Sequence, residues 1–307
     1  MGEPLAKTGL FVNKTSGGMF AVEDQSLTTG NRFFVDAGAD GVGSTASYGK
    51  NPEAPLSSLA LAYSLDILTA NNGDVVYLMP GHVEDVIAAA TIACDIAGVS
   101  VIGLGTGGSK PTITFTTIDS ATMTMAAANT HLKNIRFVCD IDAMVVGLPV
   151  TAADITIENC DFIDLGTDNS LHWITLSADA DDFTLLNCIN KGTATAGNTG
   201  FITMAAASNV RIIELESEGD FSAANIDMSD AVVNVRIEGC RLNNANAVDV
   251  GIEGFAAATG WLANNYIRIA TDAEVTGINT VGALSLFENY QVNDDGETGV
   301  LIGTPSG

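Results

Sequence analysis

The chain has 307 residues, of which 47% are hydrophobic, and its 12 Lys and Arg stand against 37 Asp and Glu, a formal charge of −25. That field repels nucleic acid and anionic membrane, and no basic patch is visible to reverse it, so neither is expected as a partner. No apolar run reaches membrane-spanning length, the N-terminus lacks a signal-peptide core, and the five Cys show no CxxC or Cys/His spacing, which removes zinc and redox motifs and fits assembly in a reducing cytoplasm.

Residues 1–34 show no periodicity yet hold Lys7, Lys14 and Arg32, a quarter of the basic residues. They read either as a free terminus or as an arm that orders on a partner surface, with Leu10, Phe11, Val12, Met19, Phe20 and Val22 as anchors. Residues 35–74 form an opening segment. Within it Ser57 or Ser58 can cap a helix over residues 59–70, which Asn71-Asn72-Gly73 ends. Such a helix should lie across the open end of the body of the chain and cover its strand edges.

That body, residues 75–292, is a repeat. Its template is Ile155-Thr156-Ile157-Glu158-Asn159-Cys160: two apolar residues two apart, an Asn, then an apolar residue. The Ile157 slot recurs at Val75, Val101, Leu132, Leu185, Ile212, Ile237, Ala263 and Phe287, at intervals of 26, 31, 25, 28, 27, 25, 26 and 24 residues. Apolar residues two apart share one face of a strand, and Asn suits the bend after it. A second apolar pair precedes the template in several rungs, at Ile174/Leu176, Ile202/Met204, Ile226/Met228 and Val250/Ile252. A unit of two short strands and their turns buries its inward face only by stacking on its neighbours. The predicted fold is therefore all-β, a right-handed parallel β-helix of about nine coils with an N-terminal capping α-helix. Residues 293–307 are a short tail.

The candidates for chemistry have plainer explanations. Lys133 with Glu158, Arg136 with Asp161, and Glu216 with Arg241 fall on adjacent rungs and predict cross-rung ion pairs, each worth about 0.2–1 kcal/mol. The glycine cluster at residues 105–109 lacks the Gly-Lys-Ser/Thr ending of a phosphate loop and reads as a turn. Asp179-Ala180-Asp181-Asp182 and Asn293-Asp294-Asp295-Gly296-Glu297 lack calcium-loop spacing and read as solvated turns. His82, His131 and His172 are scattered, with His82 in a turn. Trp261, Tyr266 and Tyr290 fall in inward columns, leaving Trp173 as the one exposed platform a sugar could stack on. No catalytic, cofactor or metal set emerges. Runs at Met125-Ala126-Ala127-Ala128, Met204-Ala205-Ala206-Ala207 and Phe255-Ala256-Ala257-Ala258 mark a corner that another rod could approach closely. With a mean hydropathy of +0.28, they predict a homo-oligomer, most simply a homotrimer.

Phe34-Val35-Asp36-Ala37-Gly38, Asn51-Pro52-Glu53-Ala54-Pro55 and Asp74-Val75-Val76-Tyr77-Leu78-Met79-Pro80-Gly81-His82 resemble the opening of right-handed β-helix proteins of the pectin-lyase-like superfamily. They are also similar to β-helix proteins encoded by tailed bacteriophages and prophages, some of them virion components. The resemblance covers about residues 32–292. It implies a non-catalytic virion structural protein, a trimeric capsid decoration (cement) protein on the capsid exterior, assembled in the host cytoplasm. Its N-terminal arm would bind the major capsid protein. The alternative is a tailspike that binds or depolymerises host polysaccharide, which an exposed carboxylate pair at glycosidase distance beside Trp173 would favour. A surface adhesin is a third reading, opposed by the missing signal peptide.

Overall fold

The computed structural model describes residues 30–193, 197–246, 250–270, 277–280, 283–293 and 300–302. They form a right-handed parallel β-helix with three sheets, of ten, ten and eight strands. The first sheet holds the template strand of each rung, such as Thr156–Glu158; the second the strand after the Asn bend, such as Asp161–Asp164; the third the preceding apolar pair, such as Ser170–Leu176. Every rung pairs in parallel with the next, apart from the last strand, Val300–Ile302, which runs antiparallel to Asn289–Asn293.

The sharp corner between the first and second sheets explains the recurring Asn. Asn134, Asn159, Asn187 and Asn264 sit there in the left-handed region, at φ 57°, 54°, 50° and 55°, which Asn adopts at less cost than other side chains. The corner residues also tie rungs together. Asn159 donates to Asn134 Oδ1 (3.2 Å), and Asn187 to Asn159 Oδ1 (3.4 Å).

The inward column of the first sheet runs Phe33, Val76, Val101, Leu132, Ile157, Leu185, Ile212, Ile237, Leu262, Leu286. Val76, Leu262 and Leu286 thus take slots expected for Val75, Ala263 and Phe287. Each expected residue has an apolar neighbour one position away, and a one-residue slip turns a whole strand over. Trp261 consequently faces outward, half-buried, while Phe287, Tyr266 and Tyr290 are 53%, 47% and 45% exposed. Asn265 and Asn289 fill the interior instead, Asn265 donating to Asn289 Oδ1 (2.9 Å) and Asn289 to the Leu262 carbonyl (2.9 Å).

Trp173 departs in the opposite direction. It is fully buried, with its ring edge-on to Phe115 and Phe162 at 5.7 and 5.4 Å. Phe162 stacks on Phe137 at 5.2 Å, so one aromatic column fills the middle of the coil. The alanine runs are divided: Ala127, Ala207 and Ala258 are buried in the corner, while Ala126, Ala256 and Ala257 face solvent.

The capping helix, α1, spans only Leu59–Ser64, with Ser58 Oγ accepting from the Leu61 amide at 3.2 Å. It stops short of residue 70 because Asp66 turns left-handed (φ 51°). It packs over the strands Ile92–Cys94, Arg32–Val35 and Val75–Leu78 at the start of the rod. Glu84, an inward residue of the first coil, accepts from the Leu59 (2.6 Å) and Ala60 (3.1 Å) amides at the start of α1. His82, expected in a turn, is fully buried beside it. Its Nδ1 accepts from the Ala37 amide (3.0 Å), which leaves Nε2 to donate to Glu84 (3.2 Å). The chain reaches this end through Asn31, whose amide donates to fully buried Asp74 (2.7 Å).

Candidate functional site

Two of the three expected ion pairs form on the outer faces. Lys133 Nζ lies 2.7 Å from Glu158 and Arg136 Nε 3.6 Å from Asp161. Burial pushes the Glu158 carboxyl up, but the hydrogen bond and charge of Lys133, with help from His131, outweigh it and hold the group below its ordinary value. Glu216 and Arg241 share a register without closing to a pair. Lys110, from the glycine-rich turn, adds a bridge across two rungs to Asp161 (2.8 Å) and the Asn159 carbonyl (2.8 Å). These contacts staple rungs and engage both Glu158 and Asp161. The acidic turn does the same: Asp181 Oδ1 accepts from the Ser208 amide at 2.7 Å.

The outer face of the third sheet differs. Its outward column runs Ala93, Thr124, Pro149, Thr175, Thr203, Asp227, Glu253, Asn279. Asp227 and Glu253 are direct partners on neighbouring strands, about 4.8 Å apart. Half-burial first, and then the Glu253 charge, push the Asp227 carboxyl above its ordinary value. Both oxygens of Glu253 accept from Asn279 Nδ2 (2.8 and 3.0 Å). One rung before, His172 Nδ1 meets Thr203 Oγ1 at 3.0 Å, and burial lowers the His172 pKa. An Asp pushed toward its protonated form beside a second carboxylate on the next strand holds the elements of an acid and nucleophile pair. The pattern was present in the sequence. Ile226 pairs with Ile252, not with Val250, and with that register the residues after the two isoleucines, Asp227 and Glu253, come side by side.

A second surface lies at the far end of the first sheet. A shallow, wide-open surface cavity of about 560 Å³ is lined by Glu238, Gly260, Trp261, Ala263, Asn264, Ser285 and Phe287. It exists because Ala263 stands between Glu238 and Phe287 in one outer column, and Ser285 follows Trp261 in the other. These are the aromatics that the slipped register placed in the core.

Of the residues expected to act, the arm anchors Leu10, Phe11, Val12, Met19, Phe20 and Val22 lie outside the described residues, as do residues 294–297 of the acidic tail. Trp173 is no platform, being core. Among the described residues, no group of three or more His, Cys, Asp or Glu is gathered as a metal site would need.

Fold and surfaces together define a parallel β-helix rod carrying an acid pair on one flat sheet and an aromatic cavity on another. No protein-family model and no curated protein matches the chain. Among solved structures it is similar to a rhamnogalacturonan lyase (TM-score 0.50, 10% identity, over 85% of this chain and 87% of that one). It is also similar to ORF18 of Geobacillus virus E2 (0.43, 10%, 91% and 67%) and to a GH136 lacto-N-biosidase from Eubacterium ramulus (0.43, 11%, 85% and 67%). At these identities the likeness is one of fold.

Proposed function

We propose that the chain is a non-catalytic structural protein of a tailed-phage virion, a homotrimeric decoration protein on the capsid exterior that binds the major capsid protein through its N-terminal arm. The observation that carries this reading is the construction of the first coil. The arm joins the rod at Asn31, pinned by Asp74, beside the end that α1 plugs. In this reading attachment and coil closure share one end. The phage origin rests on the resemblance of residues 34–82. Quantitative mass spectrometry of purified virions tests the reading: hundreds of copies per particle are expected. A few to some tens would move the protein to the tail, and absence would refute both locations. Sedimentation as a 31.6 kDa monomer would refute the trimer.

The pair Asp227 and Glu253 favours a second reading, a tailspike that cleaves host polysaccharide. Cross-strand pairing sets the two side chains next to each other on one face, and a retaining mechanism needs their carboxyls about 5–5.5 Å apart. Asp227 would protonate the leaving glycosidic oxygen while Glu253 attacks the anomeric carbon, and water would then release the sugar. Reducing-end release from host capsule that vanishes in both Asp227→Asn and Glu253→Gln would establish this reading. No release from wild type would leave the structural one.

A further inference from the structure

The aromatic cavity has the composition of a saccharide site. Trp261 stands in the outer column between Arg236 and Ser285. The Arg236 guanidinium covers one side of the indole, 4.7 Å from the ring centroid. Ser285 is too small to cover the other. In the neighbouring column Ala263 separates Glu238 from Phe287, so the floor between the two aromatic rings is low. The apolar walls, Trp261 and Phe287, are joined by a polar rim of Glu238, Asn264 and Ser285.

The electrostatics narrow the ligand. Arg236 Nε and Nη2 both contact Glu238 Oε2 (Nε at 2.9 Å), which cancels the local charge and holds the carboxylate in place. Glu238 Oε1 carries no protein contact among the described residues and remains an acceptor for a hydroxyl. Beyond this neutral patch the chain's charge of −25 disfavours an anionic ligand. A ring with C–H faces to lay on an indole and hydroxyls around its rim matches these features. An aliphatic chain would leave the rim unpaired, at a cost.

We propose that the cavity formed by Trp261, Phe287, Glu238, Asn264 and Ser285 binds a neutral saccharide, with Trp261 stacking on one sugar ring. Binding at this cavity is independent of whether the rod sits on a capsid, on a tail or elsewhere, and it requires no cleavage. The chain has 2 Trp, and Trp173 is fully buried. Acrylamide therefore quenches chiefly Trp261 in the folded protein. Cellohexaose and chitohexaose serve as neutral probes, with hexagalacturonate as the anionic control.

At millimolar concentration at least one neutral probe should protect Trp261 from quenching, and hexagalacturonate should protect less. Phe287→Ala should weaken that protection about tenfold, the value of one aromatic contact. Ser285→Phe, which fills the cavity from the surface without touching the core, should abolish it. Failure of both neutral probes would overturn the proposal, as would protection unchanged in Phe287→Ala. Protection that rises with protein concentration in the absence of sugar would also overturn it, because the cavity would then be a contact between copies.

Discussion

Asp164 offers the sharpest test of the interior. It takes an inward position that Phe115 and Cys139 occupy in the two preceding rungs. Burial raises its carboxyl from 3.8 to about 6, against the opposing pull of hydrogen bonds from Asn198 (2.7 Å) and Ser170 (3.5 Å). Oδ1 makes no close hydrogen bond, although the Trp173 side chain lies near enough to oppose the rise as well. A folded pKa above the unfolded one means that the folded state holds the proton more tightly. The stabilisation is fully present below the unfolded value and is lost as pH rises through about 6. A difference of roughly two units corresponds to about 3 kcal/mol by neutral pH. Asp164→Asn keeps an oxygen for Asn198 and removes the charge. Urea unfolding should therefore find the variant close to wild type near pH 4 and more stable by up to about 3 kcal/mol near pH 7.5. Cys139, the nearest other titrating group, has its thiol pushed up to about 12 and stays protonated throughout. A wild-type-minus-variant difference that does not change with pH would refute the reasoning.

The five thiols are all buried, and burial pushes Cys94 and Cys240 up to about 12 as well. The folded protein should resist iodoacetamide at neutral pH and take up label at all five sites once unfolded, as counted by mass spectrometry; fast native labelling would contradict the packing. Glu84→Ala leaves the Leu59 and Ala60 amides and His82 without their acceptor. It should cost at least about 2 kcal/mol and speed hydrogen exchange at those two amides, and unchanged exchange would show that Glu84 does not hold α1.

The repeat, its period and the parallel stack were legible because the apolar spacing and the corner Asn both follow from backbone geometry. Leu132, Ile157 and Ile237 keep their slots, flanked on both sides by polar residues, and Leu185 and Ile212 keep theirs although Leu186 and Ile213 adjoin them. Where the reading failed, two apolar residues adjoin. Leu262-Ala263 and Leu286-Phe287 each allow two registers, and the larger ring is the tempting but wrong core residue. That single ambiguity hid the aromatic cavity, and a misplaced partner for Ile226 hid Asp227 beside Glu253. Trp173 was misplaced, and the burial of His82 at the end of its turn was missed, for a different reason. Their burial depends on contacts with Phe115 and Glu84, residues whose positions local spacing does not reveal. The interior polar group of Asn190, Ser217 and Asn225 was equally invisible, since Asn190 and Ser217 continue a column that holds Ile113, Phe137 and Phe162 in the rungs before them.

The reversal of direction at Val300–Ile302 governs how copies can meet. For a further coil to join that end of the rod, three parallel seams would have to close in register. On the second sheet the arriving strand would meet an edge that runs the opposite way, with its amides and carbonyls out of step for parallel pairing. At the other end, α1 already lies across the first coil. Two rods brought tip to tip gain nothing from the repeat that built each of them. Association is thereby directed to the flanks, where side chains and not backbone ladders decide the partner.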